Sequence, residues 1–234
     1  FTAFLMIREF IANTAKVTNE GATVIYFVPS LWLMEQTFKS FRCQCTRRRI
    51  IDWNWVLIGS DIVRQTTQGT DIQLSITIDK ISDNLKHHDG HKHNVVISTY
   101  KSWNKCAGAL KKVRLCPDLV IYDEAHRTAG SIDQDSKQCI LDEHFPCRVR
   151  LFMTATPKDV IIGDGKLGDN EFRRDIVNSM DDQERYGERI ADPYTQAQAA
   201  DAGDIVRSKV IALMTDDDML RKYFDDQKLV VPVA

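Results

Sequence analysis

Apolar residues recur at two different spacings along the first two thirds of the chain. Over residues 3–16, Phe4, Leu5, Ile7, Phe10 and Ile11 fall three or four positions apart or side by side, which predicts one buried helix face. The same spacing returns over 31–41. Between and after these stretches lie short unbroken apolar runs: TVIYFV (23–28), WNWVLIG (53–59), HNVVIST (93–99), PDLVIYD (117–123) and VRLFMTA (149–155). Runs of this length, rich in β-branched and aromatic residues and without a regular polar face, suit strands covered on both sides. Their alternation with helical segments predicts an α/β fold built on a parallel sheet. Trp53 and Trp55 alternate within such a run and are read as packing groups. Sheets of this kind gather ligands beyond the carboxyl ends of their strands. The polar residues cluster there: Pro29-Ser30, Ser98-Thr99, Asp123-Glu124 and Thr154-Ala155-Thr156.

The pattern fades after Pro157. GDGKLGDN (163–170) is glycine-rich and charged and reads as a loop, and residues 171–208 are polar and weakly patterned. KVIALM (209–214) reads as a strand, and TDDDMLRKYFDDQ after it as a helix with an acidic cap. The expected organisation is a first domain over 1–160, a connecting segment over 161–208 and the start of a second domain over 209–234.

Composition narrows the classes. The chain has 234 residues, 43% of them hydrophobic, and its 31 Lys and Arg against 33 Asp and Glu leave a formal charge of -2. There is no global basic signal, so any nucleic-acid contact must be local. Arg42 and Arg47–Arg49 could form such a patch but read first as a solvated helix face. The six cysteines form no C-x-x-C pair, and Cys43-Gln44-Cys45 is too tight for a zinc knuckle, so they read as reduced thiols of a cytoplasmic protein. No apolar run reaches membrane-spanning length, and no membrane association is expected. HHDGHKH (87–93) is rich in histidine, yet matches no zinc spacing and reads as a polar loop.

The stretch VIYDEAHRTAG (120–130) carries the candidate chemistry. Carboxylates at the end of a buried strand need a cation or a proton. Mg²⁺ takes one or two carboxylates together with phosphate oxygens and waters. Phosphoryl transfer to water needs that ion, an oriented water and cationic clamps. An Asp-Glu pair alone is common and reads first as a solvated turn after a strand.

VIYDEAH resembles the Walker B or DEAH box of superfamily 2 helicases and translocases. Three further stretches resemble that family's motifs in order: FVPSLWLMEQTF (27–38) motif Ia, VVISTYKSW (95–103) motif Ib, and RLFMTATPK (150–158) motif III. With SMDDQERYG (179–187), the set resembles the motors of bacterial and phage restriction-type enzymes, which are fused to nuclease or methyltransferase modules. The resemblance implies a RecA-like parallel sheet flanked by helices, incomplete, with the start of a second RecA-like domain. It implies ATP and Mg²⁺ as cofactors and nucleic acid, DNA above all, as partner. Asp123 would hold Mg²⁺ and, with Glu124, form the cofactor site. Glu124 would polarise the attacking water, and His126, Thr154 and Thr156 would couple hydrolysis to movement. Pro29, Ser30 and Thr99 would meet the sugar-phosphate backbone without reading sequence.

The sequence departs from that pattern at both ends. A G-x-x-x-x-G-K-[ST] phosphate loop is missing, and the nearest text, GDGKLG (163–168), has Leu167 where a hydroxyl is required. Phe1–Ile11 resembles the helix that follows such a loop, so the chain reads as a piece beginning just after it. The family's strand before the loop lies centrally in the sheet, and its loss is expected to open a groove in the core and leave marginal stability. The arginine fingers of a second domain are also missing. The piece alone is therefore not expected to hydrolyse ATP efficiently. The rival reading is a non-catalytic nucleic-acid-binding or interaction module with a degenerate helicase fold.

Overall fold

A computed structural model describes residues 2–18, 21–59, 74–75, 77–86, 92–132, 134–160, 177–191, 194–204 and 206. Two compact units divide the chain, residues 1–188 and residues 189–234.

The first unit contains helices α1 (Thr2–Thr18), α2 (Leu31–Arg48), α3 (Ile78–Lys86), α4 (Trp103–Val113) and the short α5 (Gln183–Tyr186). Its strands are β1 (Thr23–Val28), β2 (Trp53–Ile58), β3 (Leu74–Ser75), β4 (His93–Thr99), β5 (Leu119–Asp123), β6 (Gly130–Ser131), β7 (Val149–Met153) and β8 (Val177–Asn178). Six of them form one sheet in the order β3-β2-β4-β1-β5-β7, and every pair is parallel. β6 and β8 form a separate antiparallel ribbon.

Successive side chains of a strand face opposite ways, and the two cores follow that period. Val24, Tyr26 and Val28 of β1 pack with Phe4, Ile7 and Ile11 of α1 and with Met34, Phe38 and Phe41 of α2. Ile25 and Phe27 pack on the other face with Ile81 and Leu85 of α3 and Cys106, Ala109 and Leu110 of α4. Helices on both faces explain why the strand runs carry no polar side. α2 extends beyond the expected 41 because Met34, Phe38, Phe41 and Cys45 keep one buried stripe through its polar text. Trp53 and Trp55 do pack: Trp53 lies 5.6 Å from Phe4, and Trp55 lies 5.5 Å from Phe38.

The amino ends of the central strands are bonded shut. Ala22 N–H donates to His93 Nδ1 at 3.0 Å, and Thr23 N–H donates to Asp118 Oδ2 at 2.8 Å. Asn54 Nδ2 donates to Asn94 Oδ1 at 2.8 Å. Gly21 is required here, since a Cβ would stand 1.9 Å from the Lys92 carbonyl oxygen.

Two features differ from the sequence-based expectation. The sheet has a sixth strand, β3, whose two residues are too few to show a periodicity. The expected groove in the middle of the sheet is also absent among the described residues, where six strands bond in unbroken order. Among the described residues the open edges are the outer sides of β3 and β7, and β7, which pairs only with β5, has Val149 47% exposed. Strand β7 carries the Thr-Ala-Thr segment at its end, so the exposed edge adjoins the candidate site.

Residues 177–188, expected in the connecting segment, belong to the first unit. Within the second unit, α6 (Gln196–Asp201) starts with a capping box, in which Thr195 and Gln198 satisfy each other's backbone N–H groups. The glycine-rich 163–170 stretch, the expected second-domain start at 209–234, and His87, His88, Asp89 and His91 lie outside the described residues. Among the described residues no helix is long and apolar enough to cross a membrane.

Candidate active site

Strand β5 runs buried from Leu119 to Tyr122 and brings Asp123 to its carboxyl end. The strand stops because Glu124 takes the left-handed conformation, φ 51° and ψ 48°. Only two other described non-glycine residues do so, Arg49 and Arg114, and both cap the carboxyl ends of helices, where that conformation is usual. At Glu124 no helix end accounts for it. A non-glycine residue held there costs about 1–3 kcal/mol and marks a site where direction matters more than ease. The turn is braced by Glu124 N–H donating to Asp123 Oδ1 at 3.1 Å.

His126 follows in a short 3₁₀ turn, Ala125–Thr128. Its Nδ1 lies 2.9 Å from Thr154 Oγ1, 3.3 Å from Thr156 Oγ1 and 3.4 Å from Glu124 Oε2. Thr156 N–H donates to Thr154 Oγ1 at 3.1 Å, so the Thr154 hydroxyl proton is free to point at the imidazole. Four of the expected residues, Glu124, His126, Thr154 and Thr156, are thereby gathered around one ring nitrogen. Parallel pairing sets this up, since Asp123 stands in register with Met153, the residue before Thr154.

Asp123 is held from below by two tyrosines that sequence reasoning passed over. Tyr100 donates to the Asp123 carbonyl at 2.7 Å. Burial, then the charge of the nearby Asp123 carboxylate and its pull on the hydroxyl proton, push the Tyr26 hydroxyl far above its ordinary range, so it remains a donor. Burial likewise raises Tyr100 and Tyr122. The available signal was that a buried tyrosine needs a partner for its hydroxyl. Both tyrosines sit at or near the strand ends where such a partner is expected.

The expected nucleic-acid residues separate. Pro29 is half-buried and Ser30 exposed. Ser30 Oγ accepts the Leu33 N–H at 3.2 Å and caps α2. Thr99 is only 5% exposed, and its hydroxyl turns inward to Ser102 Oγ at 3.1 Å. It does not present that hydroxyl to solvent, because the chain turns at once into the Tyr100–Ser102 3₁₀ segment that buries it. Trp32, which the pattern did not single out, stands 71% exposed two residues beyond Ser30. His93, from the histidine-rich stretch, is buried in β4 with Nδ1 taken by Ala22 N–H.

Asp123 and Glu124 are hard oxygen donors, and no group of three His, Cys, Asp or Glu side chains that could hold a metal occurs among the described residues. That donor set fits an ion that keeps waters and takes its remaining ligands from phosphate, which is the habit of Mg²⁺.

Residues 1–159 match the family described as "Type III restriction enzyme, res subunit". The chain is similar in structure to a nuclease-deletion mutant of the Type ISP restriction-modification enzyme LlaGI in complex with a DNA substrate mimic, with TM-score 0.66 and 25% identity over 87% of this chain. It shares its fold with the ATP-dependent Type ISP restriction-modification enzyme LlaBIII bound to DNA, with TM-score 0.63 and 22% identity over 87% of this chain. The chain spans 15% of the first and 13% of the second. No curated protein matches it.

Proposed function

The chain belongs to the type III restriction enzyme res subunit family, and from that premise we propose that it is the first motor domain of an ATP-dependent DNA helicase or translocase. The observation that carries this reading is the convergence of Glu124, Thr154 and Thr156 on His126 at the ends of β5 and β7. Two stretches of chain, one ending in carboxylates and one in hydroxyls, meet through a single imidazole. Such a contact changes when either side moves, as coupling of hydrolysis to motion requires.

In this reading Asp123 would hold the Mg²⁺ of a bound ATP, with Tyr26 beside its carboxylate and Tyr100 bonded to its main-chain carbonyl. The ion, when bound, neutralises phosphate charge and orients the phosphates. Glu124 orients the attacking water and accepts its proton. His126 reports the state of that carboxylate to Thr154 and Thr156. Ser30, the adjacent Pro29 backbone and the exposed Trp32 ring form the nucleic-acid side. The Thr99 contribution is confined to its main chain in this arrangement, because its hydroxyl is engaged. Residues 1–160, with 177–188 packed into the same unit, form the first RecA-like domain, and 209–234 the beginning of a second. Nuclease or methyltransferase modules accompany the motor, and the compartment is the cytoplasm.

The test is ATP turnover by the complete protein with and without double-stranded DNA. DNA-stimulated hydrolysis that Glu124→Gln abolishes, with ATP binding kept, is the expected result. No hydrolysis by the complete protein, together with retained DNA binding, would turn the reading to the non-catalytic binding module.

A further inference from the structure

Residues 177–186 lie in polar text with no helical or strand period, yet they contain some of the most completely buried polar groups of the first unit. Asn178 is 0% exposed. Its amide donates to the Thr128 carbonyl at 3.0 Å and to the Lys137 carbonyl at 2.9 Å, and its oxygen accepts from Arg185 Nη1 at 2.6 Å. Both donors and an acceptor of the amide are thus used inside the protein. Gly130 and Ser131, just past the DEAH turn, pair with Asn178 and Val177 as an antiparallel ribbon.

Tyr186 grips the same turn from the other side. Thr128 is 0% exposed, and its Oγ1 donates to the Ala125 carbonyl at 2.7 Å. A threonine hydroxyl has one proton. The 2.9 Å contact between Thr128 Oγ1 and Tyr186 is therefore donated by the tyrosine. Burial, the largest influence on that phenol, raises it above its ordinary value, which keeps the donor proton in place. The Tyr186 ring lies 4.7 Å from Phe152 of β7, and Phe152 stacks at 4.8 Å on Tyr122 of β5.

The next residues hold the other half of the site. Met180 N–H donates to the Lys158 carbonyl at 3.1 Å, and Val160 N–H donates to Ser179 Oγ at 2.8 Å. Lys158 N–H points at Met180 Sδ at 3.4 Å. One short segment therefore bonds to the stretch after His126 through residues 178 and 186, and to the stretch after Thr156 through residues 179 and 180. Those are the two stretches that meet at the His126 imidazole.

We propose that residues 177–186 are a clasp that fixes the Glu124–His126 turn against the Thr154–Thr156 segment, with Tyr186, Thr128 and Asn178 as positioning residues. The clasp sets the His126–Thr154 distance without touching any reacting group. Its bearing on turnover rests on the reading of the site as an ATPase centre; the clasp itself does not.

The test uses the complete protein and two measurements. Tyr186→Phe removes one oxygen and leaves the ring against Phe152. The expected result is that amide hydrogen exchange rises together over 125–131 and 156–160, by about fivefold for one lost hydrogen bond, with α4 and β4 at wild-type rates. Thr128→Val, which also loses the bond to the Ala125 carbonyl, gives the same pattern with a larger rise, Thr128→Ser keeps wild-type exchange, and adding Tyr186→Phe to Thr128→Val raises exchange no further, because the contact it removes is already broken. In the second measurement kcat for ATP falls by a similar factor, with KM held within about twofold. Exchange that rises over 177–187 alone, or evenly through the sheet, overturns the clasp. An unmodified protein that hydrolyses no ATP overturns the ATPase reading instead, and the exchange pattern still decides the clasp.

Discussion

The two ends of the sheet use polar groups in opposite ways. At the amino ends, His93, Asn94 and Thr23 are each 3% exposed or less. Asp118 takes the Thr23 N–H and an ion pair from Arg148 at 3.1 Å, and His93 takes the Ala22 N–H. These bonds join strands that are distant in sequence and leave little capacity for a ligand. At the carboxyl ends, Asp123, Glu124, His126 and Thr154 are half-buried and Thr156 is exposed. Their mutual bonds are few and depend on which ring nitrogen of His126 carries its proton. The amino end spends its polar groups on closing the sheet, whereas the carboxyl end keeps them directed but available. Substitutions at the two ends should therefore be read by different assays.

The largest effect belongs to the open end. Glu124→Gln is expected to lower ATP turnover of the complete protein at least about 100-fold, the usual minimum for losing a positioned proton acceptor. Its unfolding midpoint should stay at the wild-type value, since the side chain is 45% exposed and carries no backbone. Loss of stability comparable to that of a core substitution would break the division between the two ends.

The next effect belongs to the closed end. Asp118→Ala leaves the buried Thr23 N–H without an acceptor, which is expected to cost about 1–3 kcal/mol in urea unfolding. The ion pair with Arg148 adds little, because that arginine is 65% exposed. Turnover should be unchanged. A silent substitution would show that the Thr23 amide finds water, and the amino end would then be no more closed than the other.

The contrast between the ends was only half legible in the sequence. The five long strands were, because helices on both faces demand uninterrupted apolar text. Asp123, Glu124, His126, Thr154 and Thr156 were legible through their position at strand ends and through the motif they resemble. β3, β6 and β8 were not, since two residues carry no period. The left-handed turn at Glu124 was hidden because no glycine or asparagine announces it. The inward hydroxyl of Thr99 was hidden as well, since a threonine at a strand end reads the same whether it turns to solvent or to Ser102. Asn178 and Tyr186 were least visible: their burial comes from long-range partners, and the text around them carries no helical or strand period.

A smaller effect separates the ends by pH. Burial lowers the His93 pKa from its ordinary 6.5, with Asp52 acting against that and Lys92 adding to it. Its Nδ1 accepts a backbone proton, so the neutral ring carries hydrogen on Nε2, facing Asp52 Oδ2 at 3.4 Å. The folded state therefore prefers the neutral imidazole, and the unfolded chain takes up the proton first on acidification. The stability is present above 6.5 and is lost as pH falls through the depressed folded value. One proton limits the slope to about 1.4 kcal/mol per pH unit. His93→Asn supplies an amide oxygen for the Ala22 N–H and removes the titration, so its unfolding free energy should be flat just below pH 6.5. A slope equal to that of the wild type would assign the effect to another group.

The smallest effect falls on a residue that has both kinds of role. Ser30 caps α2, a closing function, yet it lies exposed at the open end beside Trp32. Ser30→Ala is expected to cost about 1 kcal/mol, the usual value of an N-cap. Loss of DNA binding in that variant could come from a frayed helix start as easily as from a lost contact. Ser30→Asp separates the two. Aspartate caps as well as serine and its charge suits a helix amino terminus, so stability should match the wild type. A carboxylate facing the sugar-phosphate backbone repels it, so DNA affinity should fall, and fall less as salt screens the repulsion. Wild-type stability with wild-type DNA affinity in Ser30→Asp would remove Ser30 from the nucleic-acid side and leave it a cap alone.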